Sequence, residues 1–374
     1  MKQERQDNRT HMGTDTAGEA FINPGSPSPP CTTHQHLQQL QLSSSLPLQM
    51  SRGVACVAVA AVVAACLTGG LAVCPSGITP CTCREETQGR IMDCTKASSS
   101  ADLVKVFQTD MGDSRFDYFQ VVPLDGHSTL EALPARVFGG KTFIWLWIGQ
   151  TDIVTVDADA FAGMEETLVD ITLADSSKLT AFPFGSVDAY KSLYKVFLSN
   201  TQITKMDPVA PAPNLAEVSV PGSQIASVAP SAFADLPRLA RVDLSRNPLT
   251  ALEDNWFAAA TSEPWVLYLD NCDIADISPG AFSGTLPAGL FLNGNKMTSI
   301  PEATFRPLLE NMATSTALVH YVDMSKNPLE CDCAVQWIAQ DTTLSPFVRN
   351  AVCSNGEVAG TPIQDLPADF FGGC

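Results

Sequence analysis

Three observations predict an α/β repeat, a solenoid with a curved parallel sheet on its concave face and a stapled cap at each end. The first is Leu239–Leu252, LARVDLSRNPLTAL, which reads L-x-x-V-x-L-x-x-N-x-L-x-x-L. The second is its recurrence along the chain. The third is that cysteines cluster before and after the recurring part, at Cys74, Cys81, Cys83 and Cys94 and at Cys331, Cys333, Cys353 and Cys374. Together they define the fold class as a leucine-rich repeat solenoid with disulfide-bonded N- and C-terminal caps.

The spacing inside the motif has a physical cause. Val242 and Leu244 are two apart, so in a strand both point into the core, and Asp243 between them points out. Asn247 falls at the bend after the strand, where its carboxamide can serve backbone groups leaving the sheet. One unit cannot bury its own apolar face and needs neighbours on both sides. With Leu244 as marker, the equivalents are Ile148, Leu173, Leu198, Val220, Leu269, Leu292 and Met324. Seven steps of 25, 25, 22, 24, 25, 23 and 32 residues separate the eight markers. Two residues earlier stand Leu146, Ile171, Val196, Val218, Val242, Leu267, Leu290 and Val322, all aliphatic. The Asn column reads Thr151, Ser176, Thr201, Ser223, Asn247, Cys272, Asn295 and Asn327, nearly all able to hydrogen-bond. A Phe column at Phe161, Phe233, Phe257, Phe282 and Phe305 marks the outer return path, and an irregular first repeat ends in Leu130–Phe138.

The chain has 374 residues, is 45% hydrophobic and carries a formal net charge of −18. Its basic residues are scattered singly, which excludes the positive face that a nucleic acid needs. Residues 1–49, rich in Gln, Ser, Pro and Thr, read as a disordered extension, or as sequence upstream of an initiator at Met50. Arg52 and the apolar run Gly53–Val73 read as a signal peptide over 50–72, cleaved after Ala72. The alternative is an uncleaved signal anchor spanning 53–73, which would tether the protein to a membrane. Both place the rest outside the cytosol, and secretion is the expectation.

Residues 73–115 form the N-terminal cysteine cap, with Leu103, Val106 and Phe107 on a short amphipathic helix or turn. The repeats occupy 116–329 and the C-terminal cap 330–374, where Val335, Trp337 and Ile338 on a short helix face the last repeat. Zinc competes with disulfides in the first cap, but C-x-C lacks the usual spacer and the compartment is oxidising. Nine cysteines follow Ala72, four per cap and Cys272 alone, so Cys272 is expected to be a buried, inert thiol. Since the chain ends on Cys374, no C-terminal anchor is expected.

Several motifs fail on inspection. Gly139-Gly140-Lys141-Thr142 resembles the end of a phosphate-binding loop, but Ala135 stands where the first Gly belongs and a strand follows. Asp157 and Asp159 begin like a calcium loop, but Phe161 replaces the third ligand. Gly126-His127-Ser128 lacks the closing Gly of a nucleophile elbow. His127 and His320 are the histidines after the signal segment, and neither has a local Ser–Asp context for a triad. No cofactor, metal site or N-glycosylation sequon is expected after Ala72.

The paired caps around repeats resemble extracellular leucine-rich repeat proteins. PCTC with a following MDC, LEALPARVFGG and IGQTDIVTVDADAF resemble more narrowly the arthropod family of the non-catalytic subunit of Oplophorus-luciferin 2-monooxygenase, over about residues 74–374. That resemblance implies association with a partner rather than catalysis by this chain. By similarity to capped repeat proteins, the disulfides would be Cys74–Cys83, Cys81–Cys94, Cys331–Cys353 and Cys333–Cys374. An enzyme remains the competing class, to be revealed by turnover that depends on His127 or His320.

The outward position between the inward pair reads Trp147, Thr172, Phe197, Ser219, Asp243, Tyr268, Phe291 and Asp323. Four of these eight are aromatic in a chain that is 7% aromatic. Neighbouring outward positions add Trp145, Lys195 and Arg241. Such rings can simply shield the sheet. A rigid aromatic run on a concave face is also where binding energy concentrates. The sequence therefore nominates Trp145, Trp147, Lys195, Phe197, Arg241, Tyr268 and Phe291 as contacts for a protein or peptide ligand.

Overall fold

A computed structural model describes residues 74–374 apart from 113, 262 and 316–319. The extension (1–49), the signal segment (50–72) and the possible membrane span (53–73) lie outside the described residues. Among the described residues no helix is long and apolar enough to cross a membrane.

One twelve-stranded sheet runs through the molecule. It opens with an antiparallel hairpin, Thr82–Glu86 and Gly89–Asp93. The second hairpin strand pairs in parallel with Tyr118–Val121, which pairs with Trp145–Gly149. Parallel strands then follow in chain order: Asp170–Ala174, Lys195–Ser199, Glu217–Ser219, Arg241–Asp243, Val266–Tyr268, Gly289–Phe291, Tyr321–Asp323 and Val348–Arg349. The marker residues and their partners two positions earlier are all buried, none more than 1% exposed. Their register is in phase: Val242 lies opposite Val218 and Leu267, and Leu267 opposite Leu290. Period-2 alternation thus places one aliphatic pair per repeat on the inner face, and stacking makes one continuous core.

The return path closes that core. Phe233, Phe257 and Phe282 stack at centroid distances of 6.4 and 6.3 Å, and Phe305 continues the row at 6.1 Å. Phe138 extends the row at the other end, 6.2 Å from Phe161. Short parallel bridges, such as Ala251–Leu252 with Asp276–Ile277, supply an outer layer.

The Asn column is a buried ladder. The Asn247 carboxamide donates to the carbonyls of Leu244 in its own repeat (2.9 Å) and Val220 in the preceding one (2.8 Å), while its oxygen accepts from Ile225 N–H (2.9 Å). Asn295 repeats this with Leu292, Leu269 and Ile274, and Asn327 with Met324, Leu292 and Met297. Where hydroxyls replace Asn they bond each other: Thr151 with Ser176 at 2.9 Å, Thr201 with Ser223 at 2.8 Å. The Cys272 thiol donates to the Leu244 carbonyl at 3.4 Å. Burial pushes that thiol up to about 11, so the reactive thiolate is scarce at neutral pH.

Each ladder residue follows a left-handed one: Gln150, Asp175, Asn200, Arg246, Asn271 and Lys326, with Gly222 and Gly294 at the same place. That conformation turns the chain out of the sheet. At Gly294 a Cβ would stand 2.5 Å from the Asn271 carboxamide oxygen, so a side chain there would push that carboxamide aside.

Two features differ from the sequence expectation. The irregular first repeat contributes its own strand, Tyr118–Val121, with Phe119 and Val121 inward and fully buried. The 32-residue step before Met324 holds a helix, Glu302–Thr314, in the return path, burying Phe305, Leu308, Leu309 and Met312. At the ends the structure pairs Cys74 with Cys83, Cys81 with Cys94, Cys331 with Cys353 and Cys333 with Cys374. The first cap packs helix Ser100–Gln108 through Leu103, Val106 and Phe107. In the second, Val335 and Ile338 are buried and Trp337 donates its indole N–H to the Ile300 carbonyl at 3.0 Å.

Removing the Asn247 carboxamide strands buried backbone groups of two repeats. Asn247→Ala should lower unfolding free energy by roughly 2–4 kcal/mol in chemical denaturation, whereas Cys272→Ser, with its weak thiol bond, should change it by less than about 1 kcal/mol. Equal effects would contradict the ladder.

Candidate partner-binding face

The strand register sets which side chains share the outward face. Trp147, Thr172, Phe197, Ser219, Asp243, Tyr268, Phe291 and Asp323 lie in one cross-strand row. The position two residues earlier makes a second row: Tyr118, Trp145, Asp170, Lys195, Glu217, Arg241, Val266, Gly289 and Tyr321. All seven nominated residues stand on this face.

They fall into three zones. At the N-terminal end the Tyr118 and Trp145 rings stack at 4.6 Å and 20°, beside Trp147, which is 51% exposed. The central zone is charged and internally paired. Lys195 lies 3.5 Å from Asp170 and over the Phe197 ring, and Arg241 is held by Asp243 at 2.8 Å and Glu217 at 3.8 Å. Asp170 accepts from the Thr172 hydroxyl (2.8 Å) and Glu217 from Ser219 (3.0 Å). Ser219 and Asp243 are therefore buried within the row rather than displayed. These half-buried pairs hold the side chains of the zone in place.

The C-terminal zone is again aromatic. Tyr268 and Phe291 stack at 4.7 Å and 4°, and Tyr321 meets the Phe291 edge at 5.5 Å and 88°. Gly289 leaves room beside these rings. A Cβ there would lie 3.3 Å from the Phe291 ring and from the Val266 side chain, close enough to crowd the Phe291 ring. Burial and the nearby Tyr268 and Asp323 push the Tyr321 phenol upward, against Arg349, so it stays a neutral donor at physiological pH.

Tyr118, Tyr321 and Arg349 escaped the sequence reading. Tyr321 was available from the second row had it been followed through every repeat. Tyr118 was hidden because Phe119 breaks the aliphatic signature of its strand, and Arg349 belongs to a cap strand without a repeat motif.

The two histidines are placed apart. His127 Nε2 meets the Asp152 carboxylate at 2.8 Å on the surface, and Lys178 meets the same oxygen. His320 is buried against the Pro287 carbonyl and the Ser315 hydroxyl, each at 2.9 Å. Neither joins serine and carboxylate in one constellation. Among the described residues no group of three or more His, Cys, Asp or Glu side chains is arranged to hold a metal ion.

The fold is a leucine-rich repeat solenoid with disulfide-bonded caps. A leucine rich repeat family model matches residues 213–262, around the motif from which the columns were drawn. The chain is 26% identical over 314 residues to the Oplophorus-luciferin 2-monooxygenase non-catalytic subunit of Oplophorus gracilirostris, covering 76% of this chain and 84% of that protein. Decorin of Equus caballus is 26% identical over 224 residues, covering 60% of this chain and 59% of decorin. Among solved structures, human trophoblast glycoprotein aligns with a TM-score of 0.48 at 18% identity, over 80% of this chain and 99% of that one.

Of the nominated rings Trp147 projects furthest into solvent, whereas Trp256 and Trp265 are at most 3% exposed. Trp147→Phe should remove the largest share of acrylamide-quenchable tryptophan fluorescence while leaving the circular dichroism spectrum unchanged. Loss of quenching on Trp265→Phe instead would contradict this placement.

Proposed function

We propose that this protein is a secreted binding protein that captures a protein or peptide partner on its concave face and serves as a non-catalytic component of a complex. The observation that carries the reading is the face itself. Rings from five strands stand outward in two groups, already packed on one another, on either side of a charged zone whose groups are already paired. Preorganised rings lose little entropy on binding, and such residues dominate interface energetics. The similarity to a protein named as a non-catalytic subunit supports association over catalysis. Trp145, Trp147, Lys195, Phe197, Arg241, Tyr268 and Phe291 are the proposed contacts.

A membrane-tethered adhesion or receptor-like role is the second reading, favoured by the apolar run Gly53–Val73. N-terminal sequencing of the cell-produced protein separates the two. A start near Val73 in the medium supports secretion, and an intact run in the membrane fraction supports tethering.

With cross-linked partner recovered from producing cells, Trp147→Ala and Tyr268→Ala should each weaken capture by about 2 kcal/mol with little change in Tm. Lys296→Ala, on the outer side, should do nothing. Ring substitutions that leave capture intact, or that unfold the protein, sink the concave-face reading.

A further inference from the structure

The aromatic zone at the C-terminal end is one continuous series of ring contacts, stacked at one step and edge-on at the next. Arg241 lies 4.1 Å from the Tyr268 ring centroid, Tyr268 4.7 Å from Phe291, Phe291 5.5 Å from Tyr321, and Arg349 4.2 Å from Tyr321. Five side chains from five successive strands form a ribbon with a guanidinium at each end. At about 4.8 Å per strand its four steps span about 19 Å.

The two ends differ. Arg241 is neutralised by Asp243 and Glu217. Arg349 is exposed, and among the described residues no carboxylate forms an ion pair with it. A guanidinium lying on a ring keeps its N–H edge available for bidentate contact with a carboxylate. Asp323 stands opposite Arg349 in the strand register but forms no ion pair with it, so a ligand carboxylate finds a guanidinium that is not ion-paired at this end and one already held by two carboxylates at the other. Between them the Tyr268 and Phe291 rings, parallel at 4° and stacked on each other, form a continuous apolar strip.

We propose that this ribbon binds an extended segment of a protein partner, with aromatic or apolar side chains over Tyr268 and Phe291 and a carboxylate on Arg349. An extended chain rises about 3.3 Å per residue, so about six residues cover the ribbon. The proposal rests on the concave-face reading and adds to it a composition and a direction.

The test uses the purified protein and six-residue peptides, acetylated at the N-terminus and amidated at the C-terminus, of the series Gly-Phe-Gly-Phe-Gly-X, with X as Glu, Gln or Lys. Binding is followed by ligand-observed NMR. The Glu peptide should bind about tenfold more tightly than the Gln peptide, and the Lys peptide least. Arg349→Gln should erase the Glu preference while leaving the Gln peptide's affinity unchanged, and Arg349→Lys should retain part of it. Phe291→Ala should weaken all three, and Lys296→Gln, an equal charge change off the face, should alter none. Equal binding of the Glu and Gln peptides overturns the carboxylate assignment and leaves the concave-face reading standing. Binding insensitive to Phe291→Ala, or no binding of any peptide, overturns the ribbon as a site. In that case partner capture with Trp147→Ala decides the concave-face reading separately.

Discussion

The structure depends on a polar row buried inside an apolar stack. Every turn from sheet to return path strips backbone carbonyls and amides of their strand partners while keeping them from water. The carboxamides of Asn247, Asn295 and Asn327 each serve at least three such groups and reach into the preceding repeat to do so. Aliphatic pairs supply the driving force, but the ladder fixes how far apart consecutive turns stand. The sheet register follows from that spacing, and with it the rows of the outward face. A buried polar group left unpaired costs more than its hydrogen bond contributes, so the ladder specifies geometry as well as adding stability.

The face inherits its order from this spacing. Rings on adjacent strands sit at stacking distance because the strands do, as Tyr118 with Trp145 and Tyr268 with Phe291 show. Charges in the central zone find partners across strands in the same way. The result is a surface whose side chains are placed before any partner arrives, which lowers the ordering cost of association.

Much of this was legible in the sequence because a repeat is a periodic signal. The aliphatic pairs, the Asn column and most of the Phe row follow from spacing alone. What escaped did so for local reasons. Phe119 replaces an aliphatic residue, so the first parallel repeat strand carried no signature. Pro307 argues against a helix, yet Glu302–Thr314 is one, because Phe305, Leu308, Leu309 and Met312 bury a full face on the core. The left-handed residue before each ladder position is filled by Gln, Asp, Asn, Arg, Lys or Gly. With so little shared chemistry, the column is visible only as backbone. The outward rows were readable in part, but their pairing into stacks depends on ring orientation, which spacing does not encode.

The disulfides close loops of limited reach, with sequence separations of 9 and 13 residues in one cap and 22 and 41 in the other. Among the described residues no covalent bridge joins one cap to the other. Under tension along the solenoid axis, the ends would therefore behave as rigid clamps and the repeats between them as a spring. Each repeat touches only its neighbours, so the array can lengthen one turn at a time and recoil by the same route. A protein held at one end and loaded on its concave face would feel that elasticity as a change in strand spacing, which is the same spacing that sets the rings at stacking distance.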